Sequence, residues 1–365
     1  MAVSRINEAG LNVNQYGNRN LTINGAMQVN QRGTVTGITG SGYGPDRCAI
    51  VCSNSGTYTL SQAADAPSGS GFDKSLDVAC TSSDTYGTAA DVTHLRLSSL
   101  ESQDCMKFEH GTSSAKKLTV QFWVKCSYAD TFGLAFVNHD SQKSNVQKFT
   151  ISSANTWQYV TLTYNGDTAA GFNNDANLGL SLDLFLGGGS DYTGGSATLN
   201  NWDTRSNNQS TYVSSTSTKF GTATSHTFNV TGVQLEVGDT ATDFEHRTFG
   251  DELQRCKRYF ESKSFTTFIE IGYSNGTTSA HCILPFLEKR AAPTVTLPAA
   301  GTSTNQLSFR TPTGANPSTT GSNSVYDLTT TQGRIQGGSY AGLTAGGVSS
   351  LYLNGTASVT FDAEL

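Results

Sequence analysis

A chain of 365 residues exceeds the roughly 100–200 residues of one ordinary domain, so two globular units are expected. Charged residues make up 14% of it against roughly 25% in ordinary soluble domains, yet 18 Phe, 14 Tyr and 3 Trp exclude a disordered polyelectrolyte and argue for strands. The net charge of −6, without a basic run, excludes the footprint of a nucleic-acid binder; membrane insertion is not expected, because no stretch approaches the roughly 18 consecutive apolar residues of a spanning helix.

Residues 1–40 carry weak strand signals among Asn, Gln and Gly. Leu11, Val13, Leu21, Ile23 and Val29 are too few to form a core, so this segment reads as an arm that orders on a partner. Residues 41–247 read as a jelly-roll β-sandwich, because short alternating runs recur between Gly, Asn, Asp and Ser turns. The clearest run puts Leu118, Val120, Phe122 and Val124 on one face and Thr119, Gln121 and Lys125 on the other, the signature of a half-wetted antiparallel sheet. Phe132, Leu134 and Phe136 repeat it, as do Val160 with Leu162, and Leu178, Leu180, Leu182, Leu184 and Leu186. Across Gly232 the parity flips from Phe228 and Val230 to Val233, Leu235 and Val237, as a bulge would make it do. Trp123 and Trp157 lie in strand-like runs and read as core or inter-sheet packing.

Residues 187–225 are dominated by Gly, Ser, Thr and Asn, too long a connection to be structureless unless functional or packed on a neighbour. A single linking helix is expected over 248–262, with Thr248 as N-cap, Asp251 three residues on and an apolar stripe of Leu253, Cys256, Tyr259 and Phe260. Residues 263–365 read as a second, smaller all-β C-terminal domain, with strands at 265–271, 280–287, 294–297, 351–353 and 359–362. The 7 Cys lack C-x-x-C pairs and read as reduced, and the N-terminus lacks a signal-peptide core, so cytoplasmic synthesis is expected.

No metal, cofactor or catalytic residue is expected. The 6 His show no ligand spacing, and Cys48 and Cys52 are spaced wrongly for a zinc knuckle. Glu236, Asp239, Asp243 and Glu245 lack the dense spacing of a calcium loop and read as a solvated turn. There is no G-x-S-x-G elbow, and although Asp183, Asp191 and Asp203 could converge as a glycosidase pair, any β-sandwich offers such carboxylates. Tyr192 and Trp202 are candidate stacking platforms for a sugar, with Asp191 and Asp203 as acceptors for its hydroxyls; packing of these rings, and of Tyr212, against another subunit is the competing reading.

The segments NLTINGAMQVNQRGT (20–34), LTVQFWVK (118–125), TFGLAFVN (131–138), NTWQYVTLTYNGDT (155–168) and VTGVQLEVGDTATDFEHRTFGDELQRCKRYF (230–260), with KRAAPTV (289–295), together resemble bacteriophage tail-fibre or virion-surface fibre proteins of marine and cyanobacterial phages. That resemblance implies a jelly roll similar to carbohydrate-binding modules, carried on a virion and usually a homotrimer. The expected function is a structural fibre or fibre tip, presenting a receptor-binding surface to host cell-surface glycan and joined to other virion proteins through the N-terminal arm. A decoration or connector protein that contacts only other virion proteins is the alternative, and a glycan depolymerase the second. A virion location, reached by release on lysis, follows from the same resemblance.

Overall fold

The computed structural model describes residues 18–214, 219–265, 268–300, 306–311, 322–338, 340, 342–354 and 357–365. Leu11 and Val13 lie outside the described residues. The chain divides after Glu252 into two units.

The first unit is an antiparallel β-sandwich. Its strands are β1 (Val35–Ile38), β2 (Ser41–Tyr43), β3 (Ala49–Cys52), β4 (Thr57–Ala63), β5 (Ser75–Ser82), β6 (Val92–Glu101), β7 (Leu118–Cys126), β8 (Asp130–Asn138), β9 (Lys143–Ile151), β10 (Gln158–Tyr164), β11 (Leu178–Gly188), β12 (Asp203–Thr204) and β13 (Thr227–Val237). One sheet runs β1-β4-β5-β13-β7-β10 and the other β12-β9-β8-β11-β6-β3-β2, so the chain crosses repeatedly between sheets as in a jelly roll. The alternating residues of the sequence form the core: Leu118, Val120, Phe122 and Val124 meet Leu180, Leu182, Leu184 and Leu186 in one buried cluster. At the anticipated bulge the β13–β7 register shifts between Thr231 and Gln234, where Gly232 adopts φ +64°, a conformation that favours glycine.

Two expectations are corrected here. Residues 18–38 belong to the body of the first unit, since Met27, Val29 and Ile38 are buried in it and β1 pairs with β4. What compensates for the scarcity of apolar residues is hydrogen bonding from side chain to backbone. Asn20 donates to the Val233 carbonyl and accepts from the Thr22 and Leu235 amides; Asn24 donates to the Val29 and Asp46 carbonyls. The acidic turn is drawn into the same clasp: the Glu245 carboxylate accepts the Asn20 amide at 2.7 Å, and Glu236 pairs with Arg19. Second, described residues of the long 187–225 segment lie back over their own sandwich, with Tyr212 fully buried and Phe220 in the core. Gly133 permits this approach, because a Cβ there would stand 1.9 Å from the Tyr212 carbonyl oxygen. A short helix, α1 (Arg205–Gln209), lies within the segment.

Thr248 caps helix α2 (Phe249–Lys257), its hydroxyl accepting the Asp251 amide and donating to the Asp251 carboxylate. The helix stops at Lys257 rather than 262, because Phe260 already pairs with Asp362 and the Tyr259 carbonyl accepts the Ala363 amide.

The second unit has β14 (Phe260–Phe265), β15 (Phe268–Ser274), β16 (Ala280–Pro285), β17 (Thr294–Thr296), β18 (Gln306–Arg310), β19 (Ser322–Tyr326), β20 (Gln332–Gly338), β21 (Val348–Asn354) and β22 (Ala357–Asp362). A sheet β18-β21-β15-β16-β20-β19 and a smaller one, β14-β22-β17, share a core of Leu284, Leu307, Phe309, Ile335, Leu351 and Phe361. Lys289 is buried beside Glu261 at 2.7 Å and also donates to the Lys257 and Leu287 carbonyls; burial lowers its pKa, against the pull of Glu261.

Candidate functional site

The two outer faces of the first sandwich differ. On the sheet that holds β7, alternation turns Thr119, Gln121, Trp123 and Lys125 away from the core. Pairing sets Tyr159 of β10 beside Trp123, and Asn229 of β13 beside Lys125. The Trp123 and Tyr159 rings lie 5.2 Å apart, and Tyr159 is 47% exposed. Together with Phe72 and Phe244, which meet edge-on at 4.8 Å, they line a hollow of about 230 Å³ whose polar rim includes Gln121, Thr242 and Asp243. The Tyr159 hydroxyl donates to Gln121 Oε1 at 2.8 Å, and Gln121 Nε2 donates to the Thr242 carbonyl at 2.8 Å, which fixes the amide. Gly232 belongs to the lining: a Cβ there would stand 2.7 Å from the Phe72 ring.

One step along the strands, about 6.8 Å away, runs a polar row of Lys125, Asn229, Asp77 and Ser61. Asn229 donates to Asp77 at 3.0 Å, as does Ser61 at 3.2 Å. Lys125 hydrogen-bonds Asp65 and thereby holds that carboxyl below its usual pKa; Trp157 Nε1–H donates to the same carboxylate at 3.2 Å. Aromatic faces beside fixed amides and carboxylates suit a ligand that is apolar on its flat side and rich in hydroxyls at its edge.

The opposite outer face is sealed. Tyr212 and Val213 cover Phe185, Ala135 and Val146, with half-buried Tyr192 against them. The same sheet also buries a polar network. Burial alone would raise the Asp183 pKa, but Arg96 and His94 hold it lowered, with Arg96 Nε donating at 3.0 Å and His94 Nε2 3.7 Å away. Ser181 donates to Asp183 Oδ2 at 3.0 Å and lies 2.9 Å from His139 Nε2. The serine thus gives its proton to a carboxylate rather than to the histidine, which is not the arrangement of an activated nucleophile. Burial pushes both His94 and His139 down to about 4. Neither ring nitrogen of His94 has a hydrogen-bond partner among the described residues.

The residues singled out from the sequence fall near the covered side and do not gather into one site. Tyr192 packs toward Tyr212, with ring centroids 6.4 Å apart. Trp202 packs edge-on against His110 and donates from Nε1 to the Asn165 carbonyl at 2.6 Å. Asp191 is exposed, while Asp203 accepts the Thr204 amide at 2.7 Å and an Asn207 amide hydrogen at 3.2 Å. The reading of Trp123 and Trp157 as core or inter-sheet packing is corrected: Trp123 shares the register of Thr119, Gln121 and Lys125 and lines the groove, and half-buried Trp157 precedes β10 and bonds Asp65, while Tyr159 is not among the residues singled out from the sequence.

No family model matches the chain, and no curated protein matches it significantly. Solved structures similar to it include the enzymatically active domain of tailspike protein 4 from bacteriophage CBA120, at 12% identity and a TM-score of 0.31, covering 60% of this chain and 21% of that one. The chain therefore spans about a fifth of that tailspike's length. Others are the family 11 carbohydrate-binding module of a Clostridium thermocellum cellulase (12%, TM-score 0.26, 58% of this chain and 93% of that one) and the tandem CBM22 modules of Paenibacillus barcinonensis Xyn10C (8%, TM-score 0.27, 95% and 98%).

Proposed function

We propose that this chain is a structural virion fibre protein, present in several copies, whose first unit binds host-surface glycan without chemistry. The observation that carries the reading is the open sheet face, where Trp123 and Tyr159 form an aromatic floor and Gln121, Asn229 and Asp77 are held in place by their own hydrogen bonds. A pyranose stacks its C–H face on such rings while its hydroxyls meet the fixed acceptors and donors. The groove on this sheet, rather than the surroundings of Tyr192 and Trp202, is the place proposed for the sugar. The test is calorimetric titration of the purified chain with polysaccharide extracted from host cells, beside the Trp123→Ala variant. Saturable binding lost in the variant supports the reading. Equal binding by both moves the site elsewhere, no binding by either favours a connector role, and release of reducing sugars favours a depolymerase.

A further inference from the structure

In the second unit the six-stranded sheet turns one face to its core and the other to solvent, and the outer face has an unusual composition. Register places Tyr273 opposite His281 and Val348, and Tyr326 opposite Arg334, so all share that face. Ile271 is 64% exposed, Val348 58%, Tyr273 and Ile283 53% each, and Tyr326 46%. Charge is sparse on it: Glu270 and Arg334 line one hollow, and Arg310 stacks 3.4 Å over the Tyr352 ring. Tyr and Arg with few lysines and acids is the composition of an interface centre, not of a solvated face.

We infer that copies of this chain associate through this outer face, with Ile271, Tyr273, Ile283 and Val348 at the centre of the contact. Two observations favour a second copy as the occupant. The face carries both charge signs: Glu270 of β15 and Arg334 of β20 line the hollow that also holds Ile271, Tyr273 and Ile283, so a two-fold copy can set each sign against the other. Its size also fits. Six strands about 4.8 Å apart and some 20 Å long project roughly 500 Å², which side-chain relief brings near the roughly 800 Å² each partner buries in a standard interface. The inference rests on the multi-copy part of the proposed function and is independent of the glycan groove.

Sedimentation velocity of the full chain at micromolar concentration tests it, alongside Ile271→Glu and Ile283→Arg and, as control, Val237→Glu at an exposed position of the first unit. Wild type and control should sediment as an assembly and the two sheet variants as single chains with unchanged circular dichroism. A monomeric wild type overturns both the inference and the multi-copy reading; assembled, folded sheet variants overturn the inference alone. Should either variant fail to fold, Ile283→Cys decides: all seven native thiols are buried, so mild oxidation should join copies at this position and not in Val237→Cys. Absence of that cross-link from an assembled protein places the contact elsewhere.

Discussion

The first sandwich offers two outer faces built by the same alternation of side chains, and they have opposite fates. On one, Tyr212 and Val213 of the 189–214 segment cover Phe185, Ala135 and Val146, and the same sheet buries Asp183 and His94. On the other, a short turn at 239–246 covers only one end and leaves Trp123 and Tyr159 accessible. Polar residues in a β-sheet are therefore not in themselves a sign of a site. Under a cover they must satisfy one another, and their chemistry is confined; in the open they are held ready for something else.

The comparison breaks most sharply at Asp183. Replacing it with Asn should leave the Arg96 guanidinium without its counter-charge under the cover and destabilise the first unit by about 3–5 kcal/mol, measured by urea unfolding. A change no larger than that of an exposed Asp191→Asn control would show that the covered face is not sealed.

Acid should act on the same face next. His94 and His139 titrate near 4 when folded and near 6.5 when unfolded, so the unfolded chain binds more protons between those values. Stability is therefore whole above pH 6.5 and falls by a few kcal/mol as the pH drops toward 4. A melting temperature that stays flat across this interval contradicts the burial of these rings, and His94→Leu should flatten the profile.

On the open face the expected losses are of binding, not of folding. Trp123→Ala should weaken glycan affinity by about 1–3 kcal/mol, taking base–aromatic stacking as the nearest measured analogue, with unfolding little changed. Gly232→Ala is the exception: the added methyl displaces the Phe72 wall and weakens binding, and the φ of +64° makes it cost stability of the first unit as well. The smallest effect belongs to Trp202→Phe, which removes the indole bond to the Asn165 carbonyl: about 0.5–1.5 kcal/mol of stability and no change in glycan titration.

How far the sequence carried this picture depends on where apolar residues alternate. The β7 and β11 faces, the bulge at Gly232 and the Thr248 cap were all legible because each leaves a local signal. Strands β18, β19 and β20 were not, since Gly333, Ile335 and Gly337 turn inward and only one of the three is apolar. The burial of Met27 and Val29 was equally hidden: it depends on Asn20 and Asn24 reaching backbone groups, and side-chain amides have no periodicity. Trp123 is the instructive case, because its position by parity pointed outward while its residue type suggested the core.

The clasp at the start of the described chain has a mechanical consequence. Asn24 hydrogen-bonds Glu252, and Arg247 donates to the Asn20 and Thr22 carbonyls while pairing with Glu245 and Glu252, so residues 20–24 and 245–252 are held together at one locus. Tension applied along the polypeptide from residue 18 to residue 252 is borne first by this latch, in which Arg19 donates to the Thr242 hydroxyl and the Asp243 carbonyl of the groove's own rim. A first unit stretched between those two points should release the latch before the sandwich yields, so that a pull on its ends loosens the Thr242–Phe244 side of the groove while Trp123 and Tyr159 stay in their strands.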